Sequence, residues 1–421
     1  MSPETIAHQI PVLQESERIK SELLSIEDKE RGIAQLSKAS RLENLRELMG
    51  YAPVEDSGLD QVVDTRIVGK DTVIPPEDLA QVLPASRNSI ETTRTAREDI
   101  SNILDHTDDR IVAIVGPCSI HDPEQALQYG EQVKAWRHEY GDDLEVIMRF
   151  YPEKPRSGDD WKGFIVDPLL DGSEDMNLGV VATRMIACQL TDNGVPLATE
   201  RLNTNTPQFI NGLIAYDAIG ARNAADQKSR EYLSGTSSVG GIKNPQDGNI
   251  GVAVQGVIAA NAPHTFLGMD ETGTLTQVRT AGNKSAHVIL RGSDAGPNFS
   301  ASYIDETKQL LSAKKLTQSI VVDASHGNSY KKADQQIECV EDVAQQISLG
   351  ETAICGVMIE SNLKEGKQPH KDKDGSFRPK SELESGVSIT DECVDLKQTE
   401  RILEILQAAV KKRREVNSRQ N

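Results

Sequence analysis

Short apolar runs recur along the chain from residue 111 onward, each followed by a loop and then by residues at helical spacing. The runs are 111–117, 145–151, 195–200, 215–222, 239–244, 287–293, 319–326 and 353–361. They are nearly continuous in Val, Ile, Leu and Ala, the pattern of a strand buried on both faces. Between the first two, Leu127, Val133, Trp136 and Tyr140 share one helical face. Thr206-Pro207 predicts an N-cap followed by proline at the first helical position, and Asp247 is placed to cap the helix that follows it. Strand and helix in alternation predict a parallel sheet, and eight such units predict an α/β chain closed as a (β/α)8 TIM barrel.

Two stretches interrupt the rhythm. Residues 264–280 read as an inserted β-hairpin, and the lysine-rich loop 364–385 reads as a second, mobile insertion. Upstream, Ile19, Leu23, Ile26, Ile33, Leu36, Leu42, Leu45 and Leu48 lie at near-helical spacing among charges. They predict one or two amphipathic helices, serving as a solvated arm or an oligomer contact. Residues 50–62 read as a linker, 64–76 as a short strand ending at Pro75-Pro76, and 91–104 as a helix. The expected division is a helical arm and linker over 1–62 and a catalytic barrel over 63–421.

Composition narrows the function. The 421 residues suffice for a barrel of roughly 250 residues with extensions. The formal charge of -19 excludes a general nucleic-acid surface, so any anion site must be a local basic island. No stretch approaches the ~20 apolar residues of a membrane helix. The polar N-terminus lacks the apolar centre of a signal peptide. Cys118, Cys188, Cys339, Cys355 and Cys393 are few, odd in number and unclustered, as in a reducing compartment. A cytoplasmic protein without a membrane partner is expected.

The chemistry lies at the strand ends. In order they present Cys118, Arg149, Glu200, Arg222, Lys243, Arg291, His326 and Glu360. In a barrel these ends converge on one face. Lys154 and Arg156 follow the second strand closely. So many cations beside few carboxylates predict anionic ligands, phosphates and a carboxylate above all. Cys118, His326 and Glu360, with Asp391 further on, offer sulfur, nitrogen and oxygen donors. That mixture suits a divalent Mn, Fe, Co or Zn ion. His121 is open between a supporting role at this site and a helix start.

The motifs GPCSIHDP (116–123), MRFYPEKPRS (148–157), GAR (220–222), ILRG (289–292), DASHGNS (323–329), GVMIESNLKEG (356–366) and SITDEC (388–393) arrive in order. They resemble the class I 3-deoxy-D-arabino-heptulosonate-7-phosphate (DAHP) synthases of the microbial and fungal amino-acid-regulated type, over about residues 64–416. The resemblance implies condensation of phosphoenolpyruvate with erythrose 4-phosphate, the first step of the shikimate pathway to aromatic amino acids. It implies Cys118, His326, Glu360 and Asp391 as metal ligands, with Cys118 and His326 catalytic. Arg149, Lys154, Arg222, Lys243 and Arg291 match the phosphoenolpyruvate site. Lys154, Pro155, Arg156 and Ser157 match the erythrose 4-phosphate segment, with Glu200 beside the substrates and Lys154 a proton donor. A homodimer or homotetramer is also implied.

The chain departs from the family pattern at Thr199–Asn203, Asn223, Pro245-Gln246 and Asp270–Gly273. These changes spare the ligand set and the cations. They crowd the substrate-loop edges and the hairpin, where the family binds its feedback amino acid. The resemblance implies Gln208, Ser237, Phe266 and Gly268 as regulatory positions, with Arg201, Asn203 and Val278 beside them. Arg201 and Asn203 predict weak inhibition by aromatic amino acids, tyrosine the best of them. The alternative functions are a paralogue using a modified aldose phosphate in secondary metabolism, and a catalytically silent regulatory subunit.

Overall fold

The structure, a computed structural model, describes residues 11–25, 61–156, 158 and 160–419. Within these the strands are β1 (Ile111–Gly116), β2 (Leu144–Arg149), β3 (Leu197–Arg201), β4 (Ile214–Ile219), β5 (Val239–Lys243), β6 (Thr265–Met269), β7 (Leu275–Arg279), β8 (His287–Leu290), β9 (Ile320–Asp323) and β10 (Ile354–Glu360). All but β6 and β7 form a closed parallel barrel in the order β1-β10-β9-β8-β5-β4-β3-β2. Every predicted apolar run supplies one of its strands. Each barrel strand is buried along its whole length, because side chains on one face fill the barrel and those on the other meet the helices. β6 and β7 pair antiparallel, Thr265 opposite Arg279, as the expected hairpin.

The helices are α1 (residues 11–25), α2 (Pro76–Val82), α3 (Arg87–Leu104), α4 (Pro123–Tyr140), α5 (Met176–Asp192), α6 (Gln227–Leu233), α7 (Ile250–Ala260), α8 (Ala301–Ala313), α9 (Ala333–Ser348) and α10 (Leu396–Ser418). α4 buries Val133, Trp136 and Tyr140 as expected. Asp122 caps it, accepting from the backbone N–H of Glu124 and Gln125, and Pro123 opens its first turn. The GPCSIHDP motif thus ends a strand and starts a helix within eight residues. His121 is buried there with an unpartnered Nδ1, and burial lowers its pKa to about 4. None of the described helices is long and apolar enough to cross a membrane.

Several local expectations change. Residues 64–75 form no strand, although α2 does begin at Pro76. Ile67 and Val68 are exposed, and β-branched residues make a strand only where a partner ladder is present. Asn177 instead holds this stretch, accepting from Ile74 N–H at 2.9 Å and donating to Thr72 C=O at 2.8 Å. Thr206-Pro207 opens a single 3-10 turn, Thr206–Phe209, and the capping position is Asn205. α7 begins after Asn249, and Asp247 accepts the Asn249 N–H rather than capping the helix.

α1 is no solvated arm. Val12, Leu13, Ile19 and Leu23 are buried in the main core, and Lys20 pairs with Asp175 at the start of α5 at 2.7 Å. The expected helical positions Ile26 to Leu48, and the linker as far as residue 60, lie outside the described residues. The loop 364–385 is paired within itself, where Lys371 bridges Phe377, and to the segment that follows it, where Gly366 and Lys367 bridge Cys393 and Ser388.

Candidate active site

The C-terminal strand ends open into a cavity of about 680 Å³. Its walls include Lys154, Arg156, Glu200, Arg222, Lys243, Arg291, His326 and Asp391, all expected from the sequence. Cys118, Arg149 and Glu360 are fully buried beside it. Ser157 lies outside the described residues. Gly116 permits this crowding. Its φ is +147°, and a Cβ there would stand 3.0 Å from the Arg149 backbone nitrogen. Gly292 does the same between β8 and β9, where a Cβ would stand 2.3 Å from the Gly327 carbonyl carbon.

Donor atoms of Cys118, Glu360 and Asp391 lie within 4.8 Å of one another, close enough to hold a metal ion. The fourth expected donor is less central. His326 Nε2 approaches Glu360 Oε1 at 3.7 Å, but its Nδ1 faces Asp323 Oδ2 at 3.0 Å, and it stands outside the three-donor group. The donor set fits a divalent cation. Burial and the neighbouring Glu360 carboxylate push the Cys118 thiol up to about 12, a penalty that a bound cation would relieve. The cation now against this group is Lys154. Its Nζ donates to Cys118 Sγ at 2.8 Å and to the Cys118 carbonyl at 3.0 Å.

Asp323, at the end of β9, was missed. It is buried, and Lys243 Nζ lies 3.2 Å from its Oδ2. Burial would raise its pKa, yet His326 and Lys243 hold it well below the usual carboxylate range. An Asp directly before Ala-Ser-His, closing an apolar strand, was the available signal. Lys243 also donates to Glu200 at 3.1 Å. Burial alone would raise Glu200, but Lys243 and Lys154 keep it low. Arg149 pairs with Glu360 at 3.1 Å and packs on the Tyr151 ring at 4.0 Å.

Internal pairing is therefore more extensive than the sequence implied, but it is incomplete. Nη1 of Arg149 and Nη1 of Arg291 are buried without a hydrogen-bond partner. An unsatisfied buried donor costs about 1–3 kcal/mol, which an anionic ligand would offset. Gln246, one of the departures from the family pattern, also lines the cavity, and further lining residues that went unread are Asp160, Lys331, Pro369, His370 and Lys371.

A second cavity, about 120 Å³, lies between the hairpin and the segment after β3. Gln208, Ser237, Phe266, Gly268, Arg201 and Val278 line it as expected. Asn203 does not; it is exposed and accepts the Asn205 N–H. Arg201 pairs with Asp217 at 2.7 Å and donates to Asn211 at 2.9 Å. Ser238 also donates to Asp217.

The DAHP synthetase I family matches residues 85–404 of this chain. A phospho-2-dehydro-3-deoxyheptonate aldolase, tyrosine-inhibited, from Schizosaccharomyces pombe is 41% identical over 84% of this chain and 94% of its own length. The Phe-sensitive enzyme of that name from Escherichia coli is 42% identical over 83% and 98%. The structure of the Francisella tularensis phospho-2-dehydro-3-deoxyheptonate aldolase superposes with a TM-score of 0.79 at 42% identity, covering 82% of this chain and 99% of that one. Barrel, strand-end residues and similarity over most of the chain agree: the chain is an enzyme that belongs to the DAHP synthetase I family.

Proposed function

We propose that this chain condenses phosphoenolpyruvate with erythrose 4-phosphate, releasing phosphate, at the 680 Å³ cavity. The observation that carries the reading is the pair of buried, unpartnered guanidinium nitrogens on Arg149 and Arg291 beside the three-donor cluster. Arg149, Arg222, Lys243 and Arg291 would hold phosphoenolpyruvate, and Lys154 and Arg156 the aldose phosphate, fixing both reacting carbons in register. Cys118, Glu360 and Asp391, with His326 beside them, would hold a divalent Mn, Fe, Co or Zn ion. When bound, such an ion polarises the aldehyde oxygen or activates a water.

The enol carbon of phosphoenolpyruvate forms a bond to the aldehyde carbon. Lys154, charged beside Cys118, delivers a proton to the new alkoxide. Water adds at the former enol-phosphate carbon, and the carbon–oxygen bond to phosphate breaks. Glu200, bonded to Lys243, orients that lysine toward the substrates.

Phosphate release from phosphoenolpyruvate with Mn2+ tests this, comparing erythrose 4-phosphate with other aldose phosphates. Preference for erythrose 4-phosphate supports the reading. Preference for another aldose supports a specialised paralogue, and phosphoenolpyruvate binding without turnover of any aldose supports a silent subunit.

The assembly proposed is a homodimer or homotetramer in the cytoplasm. Exposed Val62, Ile67 and Val68, together with Leu267 and Leu275 on the hairpin, support association, and the absence of disulfides among the described cysteines supports a reducing compartment. A monomeric mass in solution would contradict the assembly.

A further inference from the structure

The loop 364–385 has no part in the reaction above, yet Pro369, His370 and Lys371 wall the active-site cavity. The wall is built rather than draped. Lys371 bridges Phe377, and the Arg378 N–H donates to the His370 carbonyl at 2.9 Å. The buried His370 ring sits between Trp161 and Phe377, at 6.5 and 6.2 Å between centroids.

His370 Nε2 lies 2.9 Å from Asp160 Oδ1. The same carboxylate accepts the Trp161 N–H at 2.8 Å and the Arg156 guanidinium. One acid therefore ties the loop after β10 to the loop after β2. Lys371 is held more loosely. Its Nζ lies 3.8 Å from Asp160 Oδ1, beyond hydrogen-bond range, and 4.6 Å over the Phe377 ring. An incoming phosphate can take this ammonium without breaking a hydrogen bond. It also meets an Arg156 whose rotamer freedom Asp160 has already removed, which lowers the entropic cost of binding.

We propose that Lys371 contacts the phosphate end of the aldose substrate directly, and that His370 is a positioning residue holding Asp160, and through it Arg156, at that end. Together they set which aldose phosphate the cavity accepts. The inference rests on the condensation proposed above and adds a specificity element supplied by this loop.

Initial rates of the full chain with Mn2+ decide it, using Lys371→Ala, His370→Ala and His370→Gln. Lys371→Ala and His370→Ala are expected to raise the KM for erythrose 4-phosphate about tenfold or more, with the KM for phosphoenolpyruvate changed less than about twofold. The glutamine amide can still donate to Asp160, so His370→Gln is expected to recover most of the loss. An unchanged aldose KM in Lys371→Ala overturns the direct contact. A fall in kcat alone for His370→Ala, not rescued by glutamine, overturns the positioning role. A wild-type chain that releases no phosphate with erythrose 4-phosphate fails the condensation itself, and this inference with it.

Discussion

Lys154 directs its ammonium at Cys118 twice, to the thiol sulfur across 2.8 Å and to the carbonyl oxygen across 3.0 Å. Both residues are buried, so water does not screen the contact. Burial alone would lower the lysine pKa, but Cys118 and Glu360 raise it, and the side chain stays charged. A charged lysine beside the donor cluster holds a proton more tightly than a free lysine does, yet can still give it to an alkoxide, which is a strong base. Lys154→Met is expected to lower kcat by about 100- to 10,000-fold, the range for removing a general acid. A kcat within about tenfold of wild type would exclude Lys154 as the proton donor.

Glu153 supplies a pH dependence. It accepts a hydrogen bond from Thr206 at 2.9 Å, and desolvation pushes its carboxyl up to about 7. Between its ordinary value of 4.5 and about 7 the folded chain binds more protons at this site than the unfolded chain. Stability contributed here is therefore present at low pH and lost as pH rises through that window. Glu153→Gln keeps the hydrogen bond and removes the titration. Thermal unfolding from pH 5 to pH 8 is expected to show the variant gaining on wild type as pH rises; parallel curves would show that Glu153 does not titrate there.

The second cavity is expected to bind aromatic amino acids poorly. At about 120 Å³ it falls below the roughly 300 Å³ where small-molecule pockets begin. Arg201 already occupies the Asp217 carboxylate, and no carboxylate stands among the cavity's described lining residues to pair with an incoming ammonium. Losing such a charge-assisted bond costs ~1.5–3 kcal/mol, about ten- to a hundredfold in affinity. Weak or absent inhibition is predicted, with tyrosine the strongest of the three. The Gly268 position is one reason: a Cβ there would come within 2.8 Å of Val278 and narrow the space that a phenol hydroxyl would take. Initial rates titrated with each amino acid check this, and half-inhibition at low micromolar phenylalanine or tryptophan would contradict it.

The barrel and most of the site were legible because both follow from short-range pattern. An apolar run, its polar end and the following helix start lie within a few residues, and barrel closure does the rest. Asp323 escaped notice because its partners, Lys243 and His326, come from two different strand ends, and only folding shows that it serves both. The Asp160–His370 contact joins residues 210 apart through loop conformations that no periodicity encodes. The supposed strand over 64–76 misled for a related reason. Its β-branched residues state a preference that only a neighbouring strand can satisfy, and among the described residues none lies beside them.

The most direct test of the account is phosphate release from phosphoenolpyruvate and erythrose 4-phosphate, measured before exhaustive EDTA treatment, after it, and after adding back Mn2+. Wild type is predicted to lose its activity with chelation and regain it with metal. Cys118→Ala and His326→Ala are predicted to stay inactive and to bind no metal. Full wild-type activity after exhaustive chelation would contradict the account.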